Sequence, residues 1–374
     1  MRFLAFLALC CLSVLARAQT LPQAPTIAAK SWLLLDYSTG QALASYNPDD
    51  RVEPASLTKL MTAYVVLGAL KEGRLKPDQA LPVSERAWKT PGSRMFIEPK
   101  KPVTVDELLR GMIVQSGNDA CIALAEAVAG SEEAFAQMMN REAQRLGLKA
   151  TRFANATGLP DPQHYSTARD LGALAAALIR DHPEHYPLYA LREYTYNRIT
   201  QANRNRLLWL DPAVDGVKTG HTENAGYCLV ASAKRGPRRL LSVVMGAASD
   251  GMRTQESQKL LNFGFQFFDS VKLYGKDQEV SRLRVWKGAQ NTVRAGFLED
   301  FTLSLPKGMA ENLKASLVSQ QPLLAPVLKG QRIATLKLSL DDRPYGEYPV
   351  VALETVPVAG MIGRAWDAMR LWFE

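Results

Sequence analysis

Cysteine is nearly absent from these 374 residues: there are four, and Cys10 and Cys11 fall in an N-terminal leader. Cys121 and Cys228 remain, each in an apolar setting, and read as two buried free thiols, not a disulfide framework. The four histidines are scattered. With no H-x-x-x-H or C-x-x-C spacing and no glycine-rich phosphate cradle, no metal and no cofactor is expected. No basic block interleaved with aromatics occurs, which argues against nucleic acid as a partner. Low-complexity tracts and internal repeats are also missing, and composition is that of a globular chain, 47% hydrophobic and 22% charged.

What is there begins with "MRFLAFLALCCLSVLARA". A basic Arg2, an apolar core from Phe3 to Leu15 and the small-x-small Ala16-Arg17-Ala18 form a secretory signal, residues 1–18, too short to span a bilayer comfortably. Bulky Leu9 before Cys10 argues against a lipid-attachment site. The chain is therefore expected outside the cytoplasm. The formal charge is +8, but Arg2 and Arg17 leave with the leader and the rest is spread along the chain.

A first unit is expected over 19–272. "SWLLLDYSTGQALASYN" reads as a hairpin, and "PASLTKLMTAYVVLGAL" as a helix broken at Gly73. "TVDELLRGMIVQ" carries a capping box, Thr104 with Glu107, and further helices are expected at 132–146 and 167–180. The period then changes: "AVDGVKTG", "AGYCLVASA" and "RLLSVVMGA" read as adjacent strands, closed by the helix "TQESQKLLNFGFQFFDSV". The fold class is α/β, with a sheet predicted antiparallel because its last strands are joined by a short turn. Over 273–355 short alternating segments predict a small all-β domain. The tail, 356–374, places Val358, Met361, Ile362, Ala365, Trp366, Met369, Trp372 and Phe373 on one stripe, with Arg364, Asp367 and Arg370 opposite. An amphipathic helix lying in a membrane interface is the expectation, against the alternative of a helix docked on the β domain.

Three short motifs carry chemistry. Ser56 and Lys59 stand one turn apart at the head of an apolar run. "QSGND" brings Ser116, Gly117 and Asn118 to a helix–helix junction, and "DGVKTGHT" places Lys218, Thr219 and Gly220 near the end of a strand. A second S-x-x-K, Ser304 to Lys307, contains Pro306 in β surroundings and reads as a coincidence. Serine needs a base to act as a nucleophile, and a lysine kept neutral by burial and by a neighbouring cation such as Lys218 could serve. His164, in "PQHYSTARD", reads as a loop residue before a helix cap.

The ordered set is that of penicillin-binding proteins and serine β-lactamases. "EPASLTKLMTAY", "LLRGMIVQSGNDACIALAE", "NRNRLLW", "VDGVKTGHTENAGYCLVASA" and "ESQKLLNFGFQFF" resemble the low-molecular-mass penicillin-binding proteins, the D-alanyl-D-alanine carboxypeptidases. The likeness covers nearly the whole chain, in the order leader, β-lactamase/transpeptidase-like domain, small β domain and amphipathic tail. It implies an exported hydrolase of peptidoglycan stem peptides, acylated by β-lactams and held on the periplasmic face of the inner membrane. It further implies Ser56 as nucleophile, Lys59 as base, Ser116 as proton relay, and Asn118 on the substrate amide and Lys59. The N–H groups of Ser56 and His221 would form an oxyanion hole. Lys218 and Thr219, with Gly220 beside them and Arg253 and Arg204 as candidates, would meet the substrate carboxylate. A class A β-lactamase shares these motifs, but its E-x-x-L-N segment is missing here. A non-catalytic wall-binding module is disfavoured by the intact motif residues.

Overall fold

A computed structural model describes residues 22–371, so the expected leader, Trp372 and Phe373 lie outside the described residues. Five strands form the central sheet: β1 (Ser31–Asp36), β2 (Ala42–Tyr46), β3 (Val214–Thr222), β4 (Gly226–Arg235) and β5 (Arg238–Ala247). Their order is β2-β1-β5-β4-β3, and each pairing is antiparallel, as expected. The central strands are apolar almost throughout because both faces are covered. In β1, Leu33 packs into one core with the helices, while Trp32 and Leu34 pack into a second core on the opposite face.

The longer helices of this unit are α1 (Lys59–Lys71), α2 (Val105–Val114), α3 (Asn118–Ala129), α4 (Glu132–Arg145), α5 (Ala168–Asp181) and α6 (Asp250–Phe267). Thr104 caps α2 through the full capping box with Glu107. Helix α1 is apolar on every side because it runs through the core, with ten of its thirteen residues buried. Helix α6 covers the other face and stops earlier than its periodicity predicts. Phe268 leaves it to begin β6 (Phe268–Tyr274), which pairs with β9 (Phe301–Pro306).

Strands β7 (Glu279–Arg284), β8 (Thr292–Gly296), β10 (Leu313–Ser319), β11 (Arg332–Leu340) and β12 (Arg343–Ala352) form a sheet in the order β7-β8-β12-β11-β10 around their own apolar core. This β unit reaches past the expected 273–355 at both ends. It starts at Phe268, and Val356 exchanges backbone hydrogen bonds of 2.8 and 3.0 Å with Val327. Ser304, from the coincidental second S-x-x-K, joins the two units: its hydroxyl donates to the fully buried Asp36 carboxylate at 2.7 Å. The chain ends in α7 (Met361–Arg370). Among the described residues no helix is long and apolar enough to cross a membrane.

Candidate active site

Ser56 sits in a 3-10 turn, Ala55–Thr58, that leads directly into α1. Ala55 has φ +47°, a left-handed conformation unusual for alanine. Strand β3 lies against this turn, and Gly220 makes the approach possible: a Cβ there would stand 3.0 Å from Pro54 O and 3.3 Å from Ala55 Cβ. The glycine of Lys-Thr-Gly thus fixes the spacing between β3 and the serine.

Lys59, 1% exposed, points its amine back to Ser56 Oγ at 3.0 Å. It also donates to Asn118 Oδ1 at 2.7 Å and to Thr157 O at 2.6 Å. A neutral amine has two N–H bonds and one lone pair. The two acceptors use the N–H bonds, leaving the lone pair for the serine proton. Burial is the leading cause that holds Lys59 below the ordinary lysine range; the Arg204 charge adds to it and Asp119 opposes it. Lys218, also buried, is pushed well down by burial, with Lys59 and Arg204 adding repulsion. Burial leads, as expected, while the cation that adds to the effect on Lys59 is Arg204 in place of the Lys218 expected from the sequence.

Ser116, between α2 and α3, has φ +66°, and its buried hydroxyl has no hydrogen-bond partner among the described residues. Asn118 opens α3 and spends its oxygen on Lys59 and one N–H on Pro91 O at 2.7 Å. The neighbouring Asp119 carboxylate, 1% exposed, accepts from the N–H groups of Met95, Phe96 and Ile97 at 3.0, 2.9 and 3.3 Å. It thereby shapes the segment that runs on from Gly92 and Ser93 in the cleft wall.

A cleft of about 750 Å³ opens over these groups, lined by Ser56, Ser116, Thr219, Gly220, His221, Arg204 and Arg253, among others. The His221 ring lies tilted against Tyr227, with ring centres 4.1 Å apart. The two candidate arginines differ. Arg253 is buried, and its guanidinium donates to Gly220 O at 3.1 Å, to Cys228 O at 3.4 Å and to Asp250, bracing β3 and β4. Arg204 is exposed in the cleft and has no ion-pair partner among the described residues. Three contributors escaped sequence reading. Thr157 acts through its carbonyl, which leaves no residue-type signal. Asp119 stood inside "QSGND" but was not singled out. His164 stands in the loop ahead of the Thr167 helix cap, as expected, but it is buried and contacts Thr58. Among the described residues no cluster could hold a metal ion.

A family model described as D-alanyl-D-alanine carboxypeptidase matches residues 18–249. The chain belongs to that family. A second model, the penicillin-binding protein 5 C-terminal domain, matches residues 268–358, the β unit. The D-alanyl-D-alanine carboxypeptidase DacC of Escherichia coli is 45% identical over 377 residues, covering 99% of this chain and 94% of that protein. Penicillin-binding protein 5 of Haemophilus influenzae superposes with a TM-score of 0.85 at 42% identity, over 90% of this chain and 99% of that one. A Listeria monocytogenes penicillin-binding protein solved in its ampicillin-bound form is similar over 66% of this chain and all of its own, with 31% identity and a TM-score of 0.58.

Proposed function

We propose that this chain is a serine D-alanyl-D-alanine carboxypeptidase that removes the terminal D-alanine from peptidoglycan stem peptides through an acyl-enzyme on Ser56. Neutral Lys59 takes the hydroxyl proton as Oγ attacks the carbonyl of the penultimate residue. The N–H groups of Ser56 and His221 face the resulting oxyanion. The proton passes through Ser116 to the departing amine, the C–N bond breaks and D-alanine leaves. Water then attacks the ester, releasing the shortened peptide and restoring the serine hydroxyl. Lys218, Thr219 and the exposed Arg204 meet the terminal carboxylate, and Arg253 holds the backbone of β3 in place. β-Lactams acylate the same serine.

The observation that carries this reading is the 3.0 Å approach of a buried lysine amine to Ser56 Oγ. A labelled penicillin and a D-Ala-D-Ala model peptide test it. Wild type is expected to take the label and release D-alanine, and Ser56→Ala to do neither; labelling of Ser56→Ala at the wild-type rate would overturn it.

The tail is assigned to the outer leaflet of the inner membrane, following export by the 1–18 leader. Met361 and Ile362 on α7 are 80% and 89% exposed, whereas Asp367, on the polar side, accepts from Lys287 N of the β unit at 2.6 Å. That orientation leaves Met361, Ile362, Trp366 and Met369 free for lipid and disfavours the docked alternative. Because Val356 and Ala359 are hydrogen-bonded into the β unit, the truncation that tests the anchor ends at Ala359. It should stay in the soluble fraction, and pelleting with membranes would refute the anchor.

A further inference from the structure

His164 is the one buried histidine next to the serine turn that the mechanism leaves unused. The N–H of Ala154 donates to its Nδ1 at 3.3 Å, and its Nε2 stands 2.7 Å from Thr58 Oγ1. Thr58 Oγ1 in turn donates to Ala55 O at 2.8 Å. The direction of this chain is determined. Thr58 has a single hydroxyl proton, which Ala55 O receives, so Thr58 must accept from His164. Nε2 therefore carries the imidazole proton and Nδ1 is the acceptor, in agreement with the Ala154 N–H. Burial, which pushes His164 down to about 4, keeps the ring in that neutral form.

The carbonyl at the end of the chain belongs to the Ala55–Ser56 peptide. In a trans peptide the C=O and N–H point in opposite directions, so fixing Ala55 O also fixes the Ser56 N–H. Ala55 is held at φ +47°, a conformation that persists only where surroundings over-determine it. Two groups do so. Thr58 bonds the carbonyl, and Gly158 lies so close that a Cβ there would come within 1.9 Å of Ala55 O. The loop that presses Gly158 on this carbonyl also supplies Thr157 O to Lys59.

We propose that His164, acting through Thr58, is a positioning residue that aims the Ser56 N–H at the oxyanion. The assignment rests on the acyl-enzyme reading above and adds to it a reason for the histidine. It predicts a defect in the chemical step, not in substrate binding. The test uses the full chain with His164→Ala, His164→Gln, Thr58→Val and the Ala/Val double variant. It measures the rate constant of acylation by a labelled penicillin, and kcat and KM for D-alanine release. His164→Ala and Thr58→Val should each slow acylation and kcat by roughly 10- to 100-fold while KM stays within about threefold, short of complete removal of an oxyanion donor. His164→Gln, whose amide can still donate to Thr58, should recover most of the rate. The double variant should be little worse than either single one, because both break one chain. Acylation by Thr58→Val at the wild-type rate overturns the assignment, and Thr58→Val carries the test alone if His164→Ala fails to fold. Additive losses, or a loss confined to KM, also overturn it. A wild-type chain that neither takes the label nor releases D-alanine sinks the acyl-enzyme reading instead.

Discussion

Lys59 Nζ lies 2.7 Å from Asn118 Oδ1, and this contact, with the Thr157 carbonyl at 2.6 Å, leaves the amine one direction free, toward Ser56. The cage is neutral: an amide oxygen and a peptide carbonyl stabilise N–H donors without supplying the negative charge that would hold a proton on the amine. Burial then acts unopposed by any hydrogen-bonded anion.

That neutrality can be broken with one atom change. Asn118→Asp puts a carboxylate against the amine, and an adjacent opposite charge favours the protonated form, raising the Lys59 pKa. Acylation needs the free base, so its acid limb should move to higher pH. The check is the pH dependence of labelling by a penicillin for both proteins.

Gly220→Ala would press a methyl against Pro54 O, at 3.0 Å, and Leu57 Cγ, at 3.3 Å. Backbone cannot yield as a flexible side chain does, so overpacking should cost about 1–3 kcal/mol. It should also slow acylation by displacing β3 from the serine turn. Chemical unfolding and penicillin labelling measure the two effects separately.

Asp119→Ala would leave the N–H groups of Met95, Phe96 and Ile97 without their carboxylate acceptor. Each orphaned buried donor costs about 1–3 kcal/mol. Those amides should lose protection in hydrogen exchange relative to wild type, and acylation should fall because the segment runs into the cleft wall.

His164 gives stability a pH dependence of defined sign. Its folded pKa, about 4, lies below the ordinary 6.5, so the unfolded chain binds more protons between those values. Stability therefore falls as pH drops from 6.5 toward 4, by an amount on the order of 3 kcal/mol across the window. His164→Gln cannot titrate and should show a flatter profile there, read by denaturant unfolding at several pH values.

Ser304→Ala separates the two S-x-x-K sequences. Penicillin labelling should be unchanged, while stability drops by about 0.5–1.5 kcal/mol or somewhat more for the loss of the bond to buried Asp36.

Much of this was legible in sequence because the chemistry depends on side-chain type. Ser56, Lys59, Ser116, Asn118, Lys218 and Thr219 stand in motifs, and the fold brings them to one cleft or its wall. The capping box of α2 and the three adjacent strands were equally readable, since each is a local pattern. Contributions made by the backbone were not. The Thr157 carbonyl could come from any residue, and the role of Gly158 is a distance between segments a hundred residues apart. The end of α6 was misread for a related reason: Phe268 to Val271 fit a helical stripe, but pairing with β9 overrides it. His164 is the loop residue the sequence indicates, but nothing local reveals that Thr58 lies within 2.7 Å of its ring.

The central claim is that Lys59 is uncharged when Ser56 reacts, and an NMR titration of the Lys59 13Cε resonance, assigned with Lys59→Arg, tests it most directly. The account predicts an inflection below the ordinary lysine range, coinciding with the acid limb of acylation. A resonance that stays that of an ammonium throughout the pH range in which Ser56 is acylated would contradict it.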